Sequence, residues 1–211
     1  MNKPLLLLLS LIFYCCGNNA SNKPDKNISK DSAFLSRKND ARKLYPYDTI
    51  LSGGYSIVYK TEDSLQYLFL KKDSIIKEIS SSSIATAQKE LGYVQVDFTH
   101  YFLLLHSFDP GTVDFFELIE KETGDMILSG FYIDADKEKE FLLYGSLAPS
   151  NNEEIMVLYD IRKEKKKIYN YPAGISCVPR ESCIKIKSLS DHEINISYMT
   201  DKGLKEKIFT R

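Results

Sequence analysis

The chain of 211 residues carries 28 lysines and arginines against 29 aspartates and glutamates, which gives a formal net charge of −1. This balance excludes the strongly basic footprint with which nucleic-acid-binding proteins attract phosphates, so we expect no nucleic-acid partner. The chain has 14 tyrosines and 11 phenylalanines but no tryptophan, and aromatic residues at this density favour β-strands.

The first sixteen residues have the pattern of an export signal. Lys3 precedes an apolar run over residues 5–14, and Cys15 and Cys16 follow it. The run of about ten residues matches the apolar part of a signal peptide. A membrane-spanning helix needs roughly 20 such residues.

The two cysteines stand where cleavage is expected, which resembles the signal of a bacterial lipoprotein. In that family the first mature cysteine carries the lipid, so the resemblance implies a lipid anchor on Cys16 or on Cys15. Tyr14 stands before Cys15 where the family prefers a small residue, and this favours Cys16. The implied location is the bacterial cell envelope, on the periplasmic or outer-membrane face. Secretion without lipid, after cleavage at Gly17 or Ala20, and an uncleaved anchor remain alternatives.

Residues 17–43 are rich in asparagine, serine, lysine and aspartate. Such a segment cannot bury enough apolar surface to offset its loss of conformational entropy. We therefore predict a signal peptide over 1–16, a disordered tether over 17–43 and one folded domain over 44–211, which is long enough for a real core.

Short apolar runs alternate with polar turns in this domain at intervals of about ten residues, which is typical of an all-β domain. Turn residues such as Asp201-Lys202-Gly203 separate the runs. A short helix or a loop is predicted over 83–91. The predicted strands are 55–60, 65–70, 75–79, 93–98, 101–107, 114–120, 126–131, 141–146, 155–160, 167–171, 183–186, 194–198 and 205–210.

The sequence contains a weak internal repeat. Residues 101–107 align with 140–146, and residues 116–120 align with 156–160. A period near 40 residues with several strands in each repeat resembles β-propeller blades. The prediction is therefore an all-β fold of antiparallel hairpins in a meander, with propeller-like packing or a sandwich, a barrel or an open meander as alternatives.

Cys177 and Cys183 are the remaining cysteines of the domain. An even pair in an exported chain suggests a disulfide, and a free pair or a metal site are the alternatives. The spacing alone, without a neighbouring histidine, is a poor zinc pattern.

The candidate catalytic motifs are weak. Ser74 and Lys77 have the SxxK spacing of penicillin-binding enzymes, but they lie in a strand pattern, where positions i and i+3 face opposite sides. His100, His106 and His192 are scattered, and no Ser/His or Cys/His arrangement that would activate a nucleophile accompanies them.

The acidic residues are better explained as solvated turns. The run 134–140 begins like a calcium loop but lacks the glycine at its sixth position. Glu117, Glu120 and Glu122 are candidates for acid–base catalysis in principle, although exposure near a turn explains the last two. No catalytic residue, metal or cofactor is predicted.

Together these features predict a lipid-anchored envelope protein that acts as a non-enzymatic binding or scaffold module for a protein or glycan partner. Binding is expected on loops and turns, with the aromatic turns 45–47 and 169–171 as candidates. The alternatives are a hydrolase that uses carboxylates and a structural component of an envelope complex.

Overall fold

The computed structural model describes residues 47–108, 111–148 and 153–211. The predicted signal, the tether, Cys15, Cys16 and most of the tyrosine turn 45–47 lie outside these ranges. The described strands are β1 Thr49–Ile50, β2 Tyr55–Glu62, β3 Leu65–Lys72, β4 Ile75–Ser83, β5 Tyr93–Asp97, β6 Tyr101–His106, β7 Phe115–Glu120, β8 Met126–Asp136, β9 Phe141–Leu147, β10 Glu154–Asp160, β11 Lys165–Asn170, β12 Ile184–Leu189, β13 Glu193–Thr200 and β14 Gly203–Thr210.

These strands form three antiparallel sheets in the described ranges, and within each sheet the strands follow one another in chain order. Sheet A contains β1–β4, sheet B contains β5–β11 and sheet C contains β12–β14. The single-turn helix α1, Ala87–Glu90, connects sheet A to sheet B. The predicted all-β antiparallel meander is confirmed.

The central strands are apolar along their whole length because both of their faces are buried. In β6, Phe102 and Leu104 pack towards sheet A, whereas Leu103 and Leu105 pack towards the other half of sheet B. Successive side chains of a strand point to opposite faces. A strand covered on both sides therefore reads as one continuous apolar run.

Sheet B folds back on itself at β8. The first half of β8 pairs with β7 as far as Phe131, and its second half, from Phe131 to Asp136, pairs with β9. The ladder is irregular between Tyr132 and Asp134, and such a bulge bends and twists a strand. The inner faces of the two halves enclose a core of eleven buried residues: Phe98, Leu103, Leu105, Phe116, Leu118, Leu142, Tyr144, Ile155, Val157, Tyr159 and Ile161.

Two further cores attach the outer sheets. Sheet A packs on β6 and β7 through a cluster that includes Ile57, Leu68 and Phe102. Sheet C packs on β9 and β10 through a cluster that includes Leu143 and Ile196. The described strands are thus arranged as a stack of sheet A, the two halves of sheet B and sheet C.

The repeat near 40 residues matches this stack. Its first copy lies in β6 and β7, its second copy lies in β9 and β10, and the two copies face each other across the core of sheet B. They belong to one hydrogen-bonded sheet, whereas each propeller blade is a separate sheet.

Two segments differ from the sequence prediction. The serine run 80–83, predicted partly as helix or loop, extends β4 and pairs with residues 65–68 of β3, so the helix shrinks to one turn. In the charged run 134–140, residues Asp134–Asp136 continue β8 because they pair with β9, and only 137–140 form the turn.

Candidate functional site

A groove with a volume of about 940 Å³ opens where hairpin turns of sheets A and B converge. We call it the turn groove. Its walls come from the 3-10 turn Ser52–Gly54 and from the β3–β4, β5–β6, β7–β8, β8–β9 and β10–β11 hairpins. The lining residues are Ser52, Gly53, Tyr55, Leu70, Lys72, Asp73, Ile75, Lys77, Asp97, Phe98, Thr99, His100, Lys121, Glu122, Lys137, Glu138, Glu140 and Arg162.

A buried lysine forms the base of the turn groove. The side chain of Lys121 is 2% exposed. Its Nζ lies 2.6 Å from Asp97 Oδ1, and it donates to Ser52 Oγ at 2.7 Å, to the carbonyl oxygen of Phe98 at 2.5 Å and to that of Thr99 at 3.2 Å. A buried charge is costly unless it is paired and hydrogen-bonded. Lys121 meets this condition and ties the β7–β8 turn to the β5–β6 turn and to sheet A.

Asp97 is the counter-charge of this cluster. Its Oδ2 accepts a hydrogen bond from the Ser52 backbone N–H at 3.0 Å, and its Oδ1 accepts one from the Ser52 hydroxyl at 3.2 Å. Lys137 Nζ approaches Oδ2 to 3.9 Å. Both carboxylate oxygens of Asp97 are therefore engaged in holding the turns together.

A second carboxylate, Glu140, fixes the β8–β9 turn. It is 6% exposed and has a positive φ of 57°. Its Oε1 accepts a hydrogen bond from the Thr99 backbone N–H, and its Oε2 accepts one from Arg162 Nε, each at 2.8 Å. Burial opposes ionisation, but the hydrogen bonds from Thr99 and Arg162 outweigh it and lower the pKa of Glu140. Glu140 is therefore an ionised acceptor.

The wall from sheet A carries cations. Lys72 Nζ lies 4.3 Å from the centroid of the Tyr55 ring and donates to the Tyr55 hydroxyl at 3.2 Å. Lys77 donates to the Thr123 carbonyl oxygen and lies 2.9 Å from Asp125 Oδ1. Hydrogen bonding and the charge of Lys77 lower the pKa of Asp125. This ion pair fastens β4 to the β7–β8 turn.

Ser52 and Lys121 are close enough to be compared with a catalytic serine–lysine pair. In such a pair the lysine acts as the base, which requires a neutral amine. Here the Lys121 Nζ acts as a donor to a carboxylate and to backbone carbonyl oxygens. The geometry is that of a structural tie between turns.

The three histidines lie in three different parts of the structure. His100 lines the turn groove. His106 is buried, with Nε2 3.3 Å from Glu117 Oε2 and its ring near that of Phe115. His192 is exposed in the turn between β12 and β13.

Two of the other candidate residues, Lys77 and Glu122, join His100 in the lining of the turn groove, and the rest lie apart. Ser74 lies in the β3–β4 turn, and Lys77 is engaged with the β7–β8 turn as described above. Glu120 accepts a hydrogen bond from the Thr123 hydroxyl at 2.7 Å, whereas Glu122 lines the turn groove. Asp136 accepts a hydrogen bond from the Lys139 backbone N–H at 2.9 Å, as a hairpin turn requires. Within the described ranges, no group of three or more His, Cys, Asp or Glu residues is placed to hold a metal ion.

The two domain cysteines meet at disulfide distance. The Sγ atoms of Cys177 and Cys183 are 2.15 Å apart and their Cα atoms 6.2 Å apart, in agreement with the predicted pairing. The loop that they close borders a second groove of about 490 Å³, which we call the disulfide groove. The aromatic turn 169–171 contributes Tyr171 to this groove, whereas Tyr169 is buried in the core towards sheet C.

Sequence reasoning missed the cluster of Ser52, Asp97 and Lys121. Lys121 directly follows β7 and precedes a polar turn, so the pattern predicts a solvated lysine. The three residues lie 24 or more positions apart in the sequence, and no spacing rule links them. Asp97 and Lys121 meet at neighbouring turns of sheet B, and Ser52 joins them because sheet A packs against sheet B.

Comparisons with known proteins give little guidance. No family model and no curated protein matches the chain. One solved structure that resembles it is that of an uncharacterized protein from Listeria monocytogenes EGD-e, with 8% sequence identity and a TM-score of 0.35. The similarity covers 75% of this chain and 52% of that protein, so this chain spans about half of its length. In the part of the chain that the structure describes, none of the helical segments has the length and apolarity needed to traverse a bilayer.

Proposed function

We propose that this protein is a lipid-anchored, non-enzymatic binding module of the bacterial cell envelope. We further propose that the turn groove accepts a segment of a partner protein. The anchor rests on the sequence alone, through the apolar run 5–14 and the cysteines Cys15 and Cys16. The groove rests on the structure, since hairpin turns from both sheets contribute to it.

The observation that carries the proposal is the mixed lining of the turn groove. Its wall presents cationic and anionic side chains of similar number around apolar ones. Lys72, Asp73 and Ile75 come from the β3–β4 hairpin, and Lys137 and Glu138 come from the β8–β9 turn. Ile75 is 70% exposed. Ligand sites commonly combine an apolar surface with a few placed polar groups. A protein segment that carries an apolar side chain between charges of both signs complements this surface.

A protein fits this groove better than a glycan. Sugar rings bind proteins largely by stacking on aromatic faces, and the aromatic side chains of the described lining are the half-buried Tyr55 and the buried Phe98. The ammonium group of Lys72 already lies over that ring, 4.3 Å from its centroid. A sugar would have to displace this cation–π contact, whereas a carboxylate of a peptide could bind Lys72 where it lies.

The carboxylates of the groove favour binding over hydrolysis. A hydrolytic carboxyl acid must keep its proton near neutral pH, which requires a raised pKa. The pKa of Glu140 is lowered, and its two oxygens already accept hydrogen bonds. Asp97 is committed to Ser52 and Lys121 in the same way.

Affinity capture from membranes tests this proposal. The tagged wild type would be compared with the charge-reversal variant Lys72→Glu/Lys137→Glu and with a matched control, Lys165→Glu/Lys167→Glu, on the exposed strand β11. Each captured protein would be quantified by mass spectrometry. We expect the groove variant to capture at least tenfold less of one defined partner than the wild type does. The control should capture as much of this partner as the wild type.

Two results would count against the proposal. If the groove variant captured every protein as well as the control does, the partner site would lie elsewhere. If the purified protein turned over an ester, glycoside or peptide substrate and Glu140→Gln abolished the turnover, the carboxylate hydrolase would replace the binding module. If the protein cosedimented with purified envelope polysaccharide and only the groove variant lost this binding, the partner would be a glycan and not a protein.

A further inference from the structure

The disulfide groove lies at a different place from the turn groove and has a different lining. Its wall is formed by the loop between Cys177 and Cys183 together with the ends of β9 and β10. Apolar side chains predominate, and several are well exposed: Phe131 is 40%, Leu147 is 53% and Val178 is 93% exposed. The volume of about 490 Å³ suits one side chain or a small organic molecule.

One carboxylate in this groove lacks a counter-charge. Glu181 lines the groove and is only 8% exposed. Its Oε1 accepts a hydrogen bond from the Tyr171 hydroxyl at 2.7 Å. Its other oxygen, Oε2, accepts no hydrogen bond from the described residues. Oε2 is also not among the described polar atoms that lack both a hydrogen-bond partner and contact with solvent. It therefore remains accessible from the groove.

The neighbouring cation forms its salt bridge with another carboxylate. Arg180 NH1 pairs with Glu154 Oε2 at 2.9 Å at the rim of the groove. No lysine, arginine or histidine of the described ranges forms a salt bridge with Glu181. Tyr171 supplies a neutral donor, because burial and the Glu181 hydrogen bond and charge raise its pKa.

The backbone makes room for this arrangement. A Cβ atom built on Gly145 would overlap the Tyr171 hydroxyl and come within 2.8 Å of Glu181 Oε1. The pair therefore occupies the space that a side chain at position 145 would fill. This placement sets Glu181 into the groove between β9 and the disulfide loop, under an apolar mouth.

A largely buried carboxylate without a cation is unfavourable, because desolvation is not repaid by charge pairing. A ligand that brings a cation into the groove would offset this cost, and the apolar walls would bury its carbon chain. We propose that the disulfide groove binds a primary ammonium group carried on an apolar chain. A lysine side chain of a protein and a free alkylamine share this chemistry.

A matched pair of probes tests the charge requirement. Residues 17–211, expressed without the predicted signal and labelled with 15N, would be titrated at pH 7 with hexylamine and separately with 1-hexanol, which has the same carbon chain without the charge. We expect amide shifts concentrated in residues 175–183 and an apparent Kd at least tenfold lower for hexylamine. Equal affinity for the two probes would overturn the proposal.

Variants locate the charge. Glu181→Gln should remove the preference for hexylamine, whereas Glu193→Gln, at the exposed start of β13, should preserve it. Glu181 is buried and its variant could misfold, so an exposed position provides an independent test. Val178→Lys should place an ammonium group of the protein itself at the mouth of the groove and weaken the binding of hexylamine at least fivefold. Val178→Gln controls for the lost apolar contact. A preference that survives both Glu181→Gln and Val178→Lys would refute the assignment.

A further probe separates the two sources of the ammonium group. Nα-acetyl-lysine N-methylamide presents the side chain as a protein does. Binding as tight as that of hexylamine, with the same dependence on Glu181, would identify a lysine of a protein partner. Binding of hexylamine alone would identify a free amine.

Discussion

Replacing Lys121 by methionine removes the ammonium group and keeps a side chain of similar length. The substitution leaves the carbonyl oxygens of Phe98 and Thr99 without this donor and deprives Asp97 of its nearest cation, at 2.6 Å. Breaking a buried ion pair from one side costs roughly 3–5 kcal/mol, because the remaining charge is uncompensated. Asp97 is 18% exposed and keeps two hydrogen bonds from Ser52. We therefore expect the lower end, about 3 kcal/mol.

A second substitution separates the charge effect from the packing effect. In the double variant Lys121→Met/Asp97→Asn no charge remains to be compensated. We expect it to be about 1–2 kcal/mol more stable than the sum of the two single losses predicts, since residues in one ion-pair network are not additive. The free energy of unfolding of all four proteins forms the cycle.

Urea unfolding followed by far-ultraviolet circular dichroism measures these differences. With a slope of about 2 kcal/mol per molar urea, the Lys121→Met variant should unfold at a urea concentration lower by roughly 1.5 M. Lys165→Met, on the exposed strand β11, serves as the control and should stay within about 0.5 kcal/mol of the wild type.

Either of two outcomes would contradict a stabilising ion pair between Lys121 and Asp97. A loss below about 1 kcal/mol for Lys121→Met would mean that water replaces the ammonium at little cost. Additive losses in the double variant would mean that Lys121 and Asp97 do not interact energetically, despite the distance between them.

Three further predictions follow from other features. Replacing Cys177 and Cys183 by serine should lower the free energy of unfolding by about 2 kcal/mol, the entropy of closing a short loop, as measured by urea unfolding without reductant. Glu140→Gln should destabilise the protein at neutral pH. The difference in stability between this variant and the wild type should shrink as the pH falls below 4.5, the usual pKa of the group. Thermal unfolding between pH 7 and pH 3 measures this difference. Replacing Cys15 and Cys16 by serine should move the protein expressed in bacteria from the detergent phase to the aqueous phase in phase separation, because the lipid is lost.

The sign of the pH effect follows from the direction of the pKa shift. A carboxyl whose folded-state pKa is lowered stabilises the fold when it is ionised, and this stabilisation is lost as the pH falls through the folded pKa. A difference in stability between wild type and Glu140→Gln that stays constant from pH 7 to pH 3 would contradict the lowered pKa of Glu140. Two free thiols in the unfolded, unreduced wild type would refute the disulfide, and unchanged detergent partitioning of the serine variant would refute the lipid anchor.

The fold was largely predictable from the sequence because its signals are local. The apolar run of β6 and the turn at Asp201-Lys202-Gly203 each specify a hairpin without reference to the rest of the chain. The length of β8 was not predictable in this way. Its second half reads as the beginning of a charged turn, and only pairing with β9 makes Asp134–Asp136 a strand.

The candidate sites were much less predictable than the fold. That binding lies on loops and turns stays a prediction, and the sequence could not tell which turns meet. No sequence pattern marks Lys121 or Glu181 as buried, yet both are more than nine-tenths buried. Their burial depends on contacts across sheets, and the chemistry of each groove follows from that burial.

The continuity of β8 determines how the molecule would respond to mechanical load. The two halves of sheet B share β8, which pairs with β7 on one side and with β9 on the other, so a pulling force must break backbone hydrogen bonds to separate them. Sheet A is attached to sheet B by one apolar core, by the hydrogen bonds of Ser52 with Asp97 and Lys121, and by the ion pair of Lys77 with Asp125. Tension applied through the residues that precede Tyr47 would peel β1 from β2 pair by pair and detach sheet A first. The turn groove, which needs both sheets, would then open under a pull that leaves the core of sheet B closed.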